Sequence, residues 1–403
     1  MRHTSSPRIT RGTASPGRAF GLGLAALLAL LLGASAEASA APVIDVLTMG
    51  ASEDVFELFG HAALCVTSDA HPQGVCYNYG TADFRRSELG WEVMRSEATF
   101  WVERVSYERV LRSYRRQDRT IYRQRLDLPA AQAEALAAAL DHDALPENRN
   151  YIYDHFFDNC TTRLRDRLDL ATNGRLSEGA SAPSGTTFRE LVRKGFASSP
   201  EVLDLSELTL GRVLDREATV WDAMFLPDVF RRQVEARYGV APEVVYLRRK
   251  GEPTQEHDGP RHQMMAVLIG LGVLLGAAGA LGASRGHRWP VAIAGVILGL
   301  LAVPVWLLAS LSPSPELRFN ELLVLLTPLD FALVGFSRQS TLTWLKVRLG
   351  MAALLALGAL LGLAVQPVLP FVLLVLAAFG PPAVIAWRRG LKPATEASTG
   401  SAP

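Results

Sequence analysis

The chain has 403 residues and almost no net charge, with 41 Lys and Arg side chains against 40 Asp and Glu. No block of basic residues stands apart from acidic neighbours, so the charge gives no sign of a nucleic-acid partner. The charges are unevenly spread, because only nine of them lie between Met264 and Trp387. This distribution excludes a simple soluble enzyme and predicts a charged globular domain followed by a membrane part.

Residues 1–41 are predicted to be a secretory signal peptide. Arginines up to Arg18 precede an apolar stretch, Ala19–Gly33, and a run of small residues then offers cleavage near Ala40 or Ala41. The apolar stretch has about 15 residues, fewer than the roughly 20 of a spanning helix. The alternative is an uncleaved N-terminal anchor, and either interpretation exports the domain that follows.

Residues 42–251 are expected to fold as one exported α+β domain. Apolar runs bounded by turn residues predict strands at Val43–Met49, His61–Val66, Gly74–Tyr79 and Arg123–Leu128. Apolar residues at helical spacing predict helices at Ala130–His142, Thr161–Leu170, Phe188–Gly195 and, around a break at Pro227, Trp221–Tyr238. A polar linker, residues 252–262, is expected to connect this domain to the membrane part.

Three cysteines lie in the exported domain. If the second and third strands form a hairpin with Cys65 opposite Cys76, these two are a candidate cross-strand disulfide in an oxidising compartment. Two unbridged, buried cysteines are the alternative. Cys160 is the odd cysteine, a free thiol. The sequence has no zinc-spaced Cys/His cluster and no glycine-rich phosphate loop, so no metal and no cofactor is expected.

Cys160 stands where a thiol is readily activated. Asp158 or Asn159 is a good N-cap, which places Cys160 in the first turn of a helix. There the helix dipole favours a thiolate, and free N–H groups can receive an oxyanion. His61 is the natural base, and in the hairpin register Asn78 is its diagonal neighbour and can orient the ring. A lone buried Cys and a lone strand His are common, so purely structural roles are the alternative.

The back half predicts five membrane-spanning segments, at about residues 263–284, 290–310, 320–336, 349–366 and 368–387. The third is short and contains Asp330, so four spans and a re-entrant third segment are the alternative. An ionised Asp at the centre of a bilayer costs about 2.5–3.5 kcal/mol on insertion scales. Asp330 is therefore expected to face protein or water, or to lie near an interface.

The positive charges of the loops predict the orientation of these segments. They follow the first, third and fifth segments: Arg285 and Arg288; Arg338, Lys346 and Arg348; Arg388, Arg389 and Lys392. The positive-inside rule places these three loops in the cytoplasm, together with the tail 388–403. The exported domain then lies on the other side of the membrane, in agreement with the signal peptide.

Three motifs, in this order, resemble a bacterial family: Phe59–Leu64, Tyr77–Thr81 and Asn159–Arg163. The family is named for the lipoprotein N-acyltransferase Lnb, and the likeness covers roughly residues 43–245. The stretch Pro315–Leu323 with Thr327–Leu329 also looks like the membrane motif of such proteins, although Glu321 stands where that motif has a second Asn. His before Cys in chain order is similar to circularly permuted papain-like (NlpC/P60-related) folds.

The resemblance implies an acyl transfer at the outer face of the bacterial inner membrane, with the catalytic domain in the periplasm. The Cys160 thiolate would attack an ester of a diacylglyceryl lipoprotein or lipid, with His61 as base. The acyl group would then pass through a thioester to the N-terminal amine of the lipoprotein. Thr161, Arg163 and Asn320 are candidates for contacts with the substrate or the oxyanion.

Other interpretations stay open at this point. Arg163 and Arg165 can instead pair with Asp166 and Asp169 on their own helix. A papain-like cysteine hydrolase of cell-wall peptides uses the same chemistry, but one anchor would suffice for it, so five spans favour a lipid-linked substrate. A third class is a non-enzymatic sensing or assembly protein with an inert Cys160. The sequence indicates neither the lipid nor the oligomeric state.

Overall fold

The computed structural model describes residues 40–253 and 262–390. Nearly all of the predicted signal peptide, most of the predicted linker and the tail after Gly390 lie outside these residues. The described part is a mixed α+β domain followed by long apolar helices, as the sequence predicts.

Seven strands form one antiparallel sheet, in the order β6-β4-β3-β2-β1-β5-β9, and β7 pairs with β8 in a second sheet. The strands are β1 (Val43–Met49), β2 (His61–Ser68), β3 (His71–Thr81), β4 (Thr99–Ser106), β5 (Ile121–Leu126), β6 (Asn150–Ile152), β7 (Pro183–Thr187), β8 (Glu217–Thr219) and β9 (Glu243–Tyr246). In the hairpin of β2 and β3, Cys65 is opposite Cys76, which is the predicted register.

The helices of this domain are α1 (Leu89–Met94), α2 (Tyr107–Arg116), α3 (Ala130–Asp143), α4 (Cys160–Ala171), α5 (Phe188–Phe196), α6 (Pro200–Thr209), α7 (Val220–Ala223) and α8 (Pro227–Tyr238). Short 3-10 helices lie at Val55–Glu57 and Arg212–Asp215. A break before Pro227 separates α7 from α8, as the sequence predicts, because proline at the first helical position starts a new helix.

The sheet is covered on both faces, which explains the nearly continuous apolar sequence of β2. Leu64 and its neighbours on one face pack with residues of α3, α4 and α8, among them Leu136, Leu164 and Phe230. Cys65 faces the other way, into a smaller cluster with Val110 of α2. His61 at the start of β2 and Cys160 at the start of α4 lie beside this packed core and are both partly exposed.

The back half contains α9 (His262–Ser284), α10 (Trp289–Leu311), α11 (Pro315–Arg318), α12 (Arg338–Leu360) and α13 (Leu369–Gly390). Among the residues that the structure describes, four helices are long and apolar enough to cross a membrane: Gln263–Ser284, Trp289–Leu311, Arg338–Leu360 and Leu369–Arg389. This number is near to the predicted five.

The third predicted segment, residues 320–336, differs from the prediction because it is no long α-helix. It consists of two 3-10 helices, Glu321–Val324 and Pro328–Val334, and runs antiparallel to α10. Pro328 lacks the N–H that an α-helix would need there. Carbonyl groups that lose their α-helical partner at this break accept hydrogen bonds from other helices. Trp306 Nε1, for example, donates to the Leu326 carbonyl at 2.6 Å.

The fourth predicted segment also begins earlier than expected, because Lys346 and Arg348 lie inside α12 rather than in a loop. Arg348 is fully buried and forms an ion pair with the fully buried Asp330, with Nε and Oδ1 3.0 Å apart. Its guanidinium also donates to the Val324 and Leu325 carbonyls. Asp330 therefore faces protein, one of the environments predicted for it.

Three of the positive side chains expected on one side, Arg288, Arg338 and Arg389, meet at one end of the helices, whereas Arg348 does not. Arg288 donates to the Val334 and Phe336 carbonyls, and Arg389 donates to the Ser284 carbonyl. Arg338 lies beside Gly286 at the same end. The ends of all three predicted cytoplasmic loops are thus neighbours.

At the opposite end, Asn320 attaches the helices to the sheet domain. Asn320 Nδ2 donates to the carbonyls of Leu208 (2.9 Å) and Thr209 (3.1 Å) at the end of α6. Gln366 Nε2 donates to the Leu210 carbonyl at 3.0 Å. Backbone polar groups on both sides are satisfied in this buried contact, which fixes the domain on the helices.

A glycine allows the closest approach in this contact. The Gly211 N–H donates to the Glu316 carbonyl at 2.6 Å, and a Cβ on Gly211 would lie 2.3 Å from the Phe319 carbonyl oxygen. A second contact joins Ser312 Oγ to the Met94 carbonyl at 2.6 Å. The segment after α10 therefore contacts both α1 and the end of α6.

Candidate active site

Asn159 is the N-cap of α4 and makes Cys160 its first residue. Asn159 Oδ1 accepts the N–H groups of Thr161 (2.8 Å) and Thr162 (2.9 Å), and Thr162 Oγ1 accepts the Asn159 N–H in return. Asn159 Nδ2 donates to the carbonyls of His155 and Phe225. Both the oxygen and the nitrogen of this carboxamide thus form hydrogen bonds within the protein. Asn159 holds Cys160 in place and has no free donor of its own for a substrate.

His61 opens β2 and lies beside Cys160, with Gly80 of β3 between them. A Cβ built on Gly80 would lie 3.2 Å from the Cys160 Cβ and 3.8 Å from His61 Cε1. Gly80 also has a φ of 86°, which side chains rarely adopt. Both constraints require glycine, and the thiol and the imidazole approach each other because no side chain separates them.

Asn78 orients the imidazole of His61. His61 Nε2 lies 2.5 Å from Asn78 Oδ1, and Asn78 Nδ2 donates to Thr81 Oγ1 at 3.2 Å. Because an amide oxygen only accepts hydrogen bonds, Nε2 carries the proton. The other ring nitrogen, Nδ1, is then free to accept the proton of the Cys160 thiol. The structure thus places the three residues in the order Cys160, His61, Asn78.

Charge interactions favour the ionised form of this pair. Burial raises the pKa of the Cys160 thiol, but the positive charge of His61 and its hydrogen bond to the sulfur outweigh burial. The Thr161 hydroxyl and the Ala62 N–H also lower this pKa, which lies below the ordinary 9.0. Burial lowers the pKa of His61, but the charge of Cys160 and the hydrogen bonds of His61 to Cys160 and Asn78 raise it above 6.5. Both shifts favour a thiolate beside an imidazolium.

Thr161 and Arg163 have different surroundings. The Thr161 hydroxyl is buried and lies 3.6 Å from Cys160 Sγ, so it touches the thiol itself. Arg163 binds both carboxylate oxygens of Asp158, at 2.6 and 2.8 Å, and its guanidinium stacks over the Tyr151 ring at 3.8 Å. Arg163 is therefore neutralised in this structure, by Asp158 rather than by the predicted acids on its helix.

Neighbouring charges on α4 also have partners. Arg165 pairs with Asp166 at 2.8 Å and donates to the Trp221 carbonyl. Asp169 Oδ1 accepts the N–H groups of Leu176 and Ser177 and so supports the loop after the helix. The structure does not bring Asn320 to Cys160, because Asn320 lies in the contact between α6 and the apolar helices.

Cys65 and Cys76 are joined by a disulfide, and Cys160 is the free cysteine. The bridge links β2 four residues after His61 to β3 two residues before Asn78. It therefore holds together the two strands that carry His61 and Asn78.

A buried arginine behind His61 was not predicted. Arg119 is fully buried, pairs with Glu57 at 2.7 Å and lies 4.7 Å from the Tyr114 ring. The Tyr114 ring in turn stacks against His61, with centroids 6.1 Å apart. No local sequence pattern indicates that Arg119 is buried, because the residues around it are typical of an exposed polar turn. Gly80 and Thr81 do belong to the motif Tyr77–Thr81, which is the signal that points to them.

Among residues 40–253 and 262–390, no group of three or more His, Cys, Asp or Glu side chains is placed to hold a metal ion. The chemistry of the described site consists of a thiol, an imidazole and hydrogen-bond donors. Cys160 and His61 are both partly exposed, so a reacting group can reach them.

A family model described as the Lnb N-terminal periplasmic domain matches residues 35–194. The matched range contains Cys160, His61, Asn78 and Asn159, and it ends within α5. No curated protein and no solved structure matches the chain. Residues 35–194 therefore match the Lnb N-terminal periplasmic domain, and the long apolar helices that follow fit a membrane-anchored protein of this type.

Proposed function

We propose that the protein is a periplasmic thiol acyltransferase of the inner membrane, which moves an acyl chain from a glyceryl ester to the N-terminal amine of a lipoprotein. The observation that carries this proposal is the arrangement of the Cys160 thiol, the His61 imidazole and the Asn78 carboxamide. The Lnb domain and the apolar helices support a substrate that is itself held in a membrane.

In the first half-reaction, His61 Nδ1 takes the proton of Cys160 and the thiolate attacks the ester carbonyl carbon. A C–S bond forms, and the negative oxygen of the intermediate is stabilised by the Cys160 N–H, which the Asn159 cap leaves to the substrate. The ester C–O bond then breaks. The glyceryl oxygen leaves with the proton from His61, and the products are a lyso-lipid and an acyl thioester on Cys160.

In the second half-reaction, a neutral N-terminal amine attacks the thioester carbonyl. A C–N bond forms, the C–S bond breaks, and His61 takes the extra amine proton and returns it to the sulfur. The acyl chain has moved from oxygen to nitrogen, and the enzyme is restored. The reaction needs no oxidant, no metal ion and no water.

The position of the domain on the helices supports a reaction at the membrane surface. The end of α6 and α1 contact the segment after α10 directly, so the domain sits on the end of the helices opposite the arginine cluster. The positive-inside rule then places that cluster and the C-terminus in the cytoplasm. The dyad faces the periplasm, close to the outer leaflet.

The test uses the full-length protein in nanodiscs together with a synthetic diacylglyceryl peptide that has a free N-terminal amine. Mass spectrometry is expected to find an acyl chain on the amine and a lyso-glyceryl group. Cys160→Ser should abolish this product, whereas Leu170→Ala, an exposed position on the same helix, should retain it. Free fatty acid without N-acylation would identify a hydrolase instead, and an unchanged peptide would contradict any enzymatic role.

A further inference from the structure

A short exposed stretch of the chain leads from the dyad to the membrane helices. Gly80 lies against Cys160, and Phe84 follows four residues later. Four residues span at most about 14 Å, so Phe84 lies close to the dyad. Trp91 is in the next helix, α1, three residues before Met94, whose carbonyl binds Ser312. We call residues Asp83–Trp91 the aromatic strip.

The large rings of the strip face solvent. Phe84 is 49% exposed and Trp91 is 38% exposed. Phe84 packs against Phe56, which is 45% exposed, with ring centroids 5.3 Å apart. Exposed rings that touch each other form an apolar patch rather than scattered single residues, and such patches mark interaction sites.

The aromatic strip packs against aromatic residues that lie near the candidate active site. The Phe84 ring contacts Phe100 edge to face at 6.1 Å, and Phe100 stacks on Tyr153 at 4.3 Å. Burial, and next the charge of Cys160, raise the pKa of Tyr153, which places this ring within electrostatic reach of the thiol. Two ring contacts therefore separate the exposed patch from the surroundings of the nucleophile.

The charges of the strip are balanced, because Asp83 and Glu88 offset Arg85 and Arg86. Arg85 binds Asp83 at 3.2 Å, and Arg86 binds Glu92. A surface without net charge has no particular preference for an anionic ligand, so the apolar rings determine what it fits. Trp is enriched in the interfacial layer of a bilayer, and Phe also lies there on the apolar faces of interfacial helices.

We propose that the aromatic strip lies in the outer interfacial layer and receives the acyl chains of a diacylglyceryl group anchored in the same membrane. The ester would then reach Cys160 from the bilayer without passing through water. This inference rests on the proposed function and adds the surface through which the substrate approaches. The strip continues directly into the contact between Met94 and Ser312, and this continuity supports its position beside the membrane helices.

The test compares two acyl donors on the full-length protein in nanodiscs of phosphatidylcholine and phosphatidylglycerol. One donor is the diacylglyceryl peptide in the disc, and the other is water-soluble p-nitrophenyl butyrate. The double variant Phe84→Glu, Trp91→Glu should acylate Cys160 from the peptide at least about tenfold more slowly, since two ring contacts with lipid are lost. Its rate with the soluble ester should stay within about twofold, because the dyad is unchanged.

Leu145→Glu is the matched control, because Leu145 is 42% exposed and lies after the end of α3, outside the strip. It should alter neither rate. An unchanged rate with the peptide in the double variant would overturn the inference, as would an equal loss with both donors or an equal loss in the control. Failure of the wild-type protein to form a Cys160 thioester from either donor would instead overturn the proposed function.

Discussion

Two buried asparagines make nearly the same hydrogen bonds. Asn159 lies in the sheet domain, and Asn320 lies at the start of the segment 320–336. Each side-chain oxygen accepts an N–H group of the turn that follows, and each side-chain nitrogen donates to two carbonyls of other segments. The residues that follow them differ, because Cys160 comes after the first and Glu321 after the second.

The comparison shows that the same capping geometry can serve different purposes. The residues next to the cap determine which purpose it serves. Asn159 connects its helix to the His155 and Phe225 carbonyls and so holds a thiol beside His61. Asn320 connects its turn to the end of α6 and so holds the domain on the apolar helices. Loss of the first should affect the chemistry, and loss of the second should affect the delivery of a membrane substrate.

The largest effect is expected for Asn159→Ala. The variant loses the cap and leaves two buried carbonyls without their donor, which should lower the free energy of unfolding by about 2–3 kcal/mol. Cys160 acylation should fall about a hundredfold or more, because the thiol is no longer held against the base. Stopped-flow measurements with p-nitrophenyl butyrate check the rate. Asn159→Asp keeps the accepting oxygen and should retain more activity; equal losses in both variants would contradict the capping role.

A second effect concerns the pH at which the thiol reacts. Since His61 lowers the pKa of Cys160, alkylation by iodoacetamide should have its pH midpoint below 9.0 in the wild-type protein. In His61→Ala the burial remains without the compensating charge, so the midpoint should move upward. Asn78→Ala should lower the pKa of His61 and cause a smaller change in rate. A midpoint that is the same with and without His61 would show that the two side chains do not interact.

The smallest effect on the chemistry is expected for Asn320→Ala. The dyad does not contact Asn320, so acylation by the soluble ester should stay within about twofold of wild type. The rate with a diacylglyceryl peptide in nanodiscs should fall severalfold, because the domain is held less firmly above the bilayer. Gly211→Ala, whose Cβ would meet the Phe319 carbonyl, should act in the same direction. A large loss with the soluble ester would show that the two regions are not separable.

Local patterns predict much of the sheet domain. Two neighbouring strands joined by a turn allow a hairpin with Cys65 opposite Cys76, and an Asn before Cys160 predicts a capped helix start. Both features depend on neighbours in sequence. The burial of Arg119 and the contact between Gly80 and Cys160 depend on segments far apart in the chain, so no short pattern reveals them.

In the membrane part, hydropathy and charge predict the wrong start for α12 and the wrong conformation for residues 320–336. Arg348 resembles a loop charge in the sequence, but Asp330 neutralises it inside the helices, and α12 therefore begins at Arg338. The segment 320–336 is predicted as a span, yet Pro328 and the carbonyl partners Trp306 and Arg348 allow a 3-10 conformation. Such partners lie on other helices and cannot be read from the segment itself.

The most direct measurement is the mass of Cys160 after incubation with a diacylglyceryl peptide whose amine is acetylated. With no acceptor amine, the acyl thioester should accumulate on Cys160 and disappear when hydroxylamine is added. His61→Ala should form it far more slowly. An unmodified Cys160 in the wild-type protein, or an acyl group on a different residue, would contradict the account.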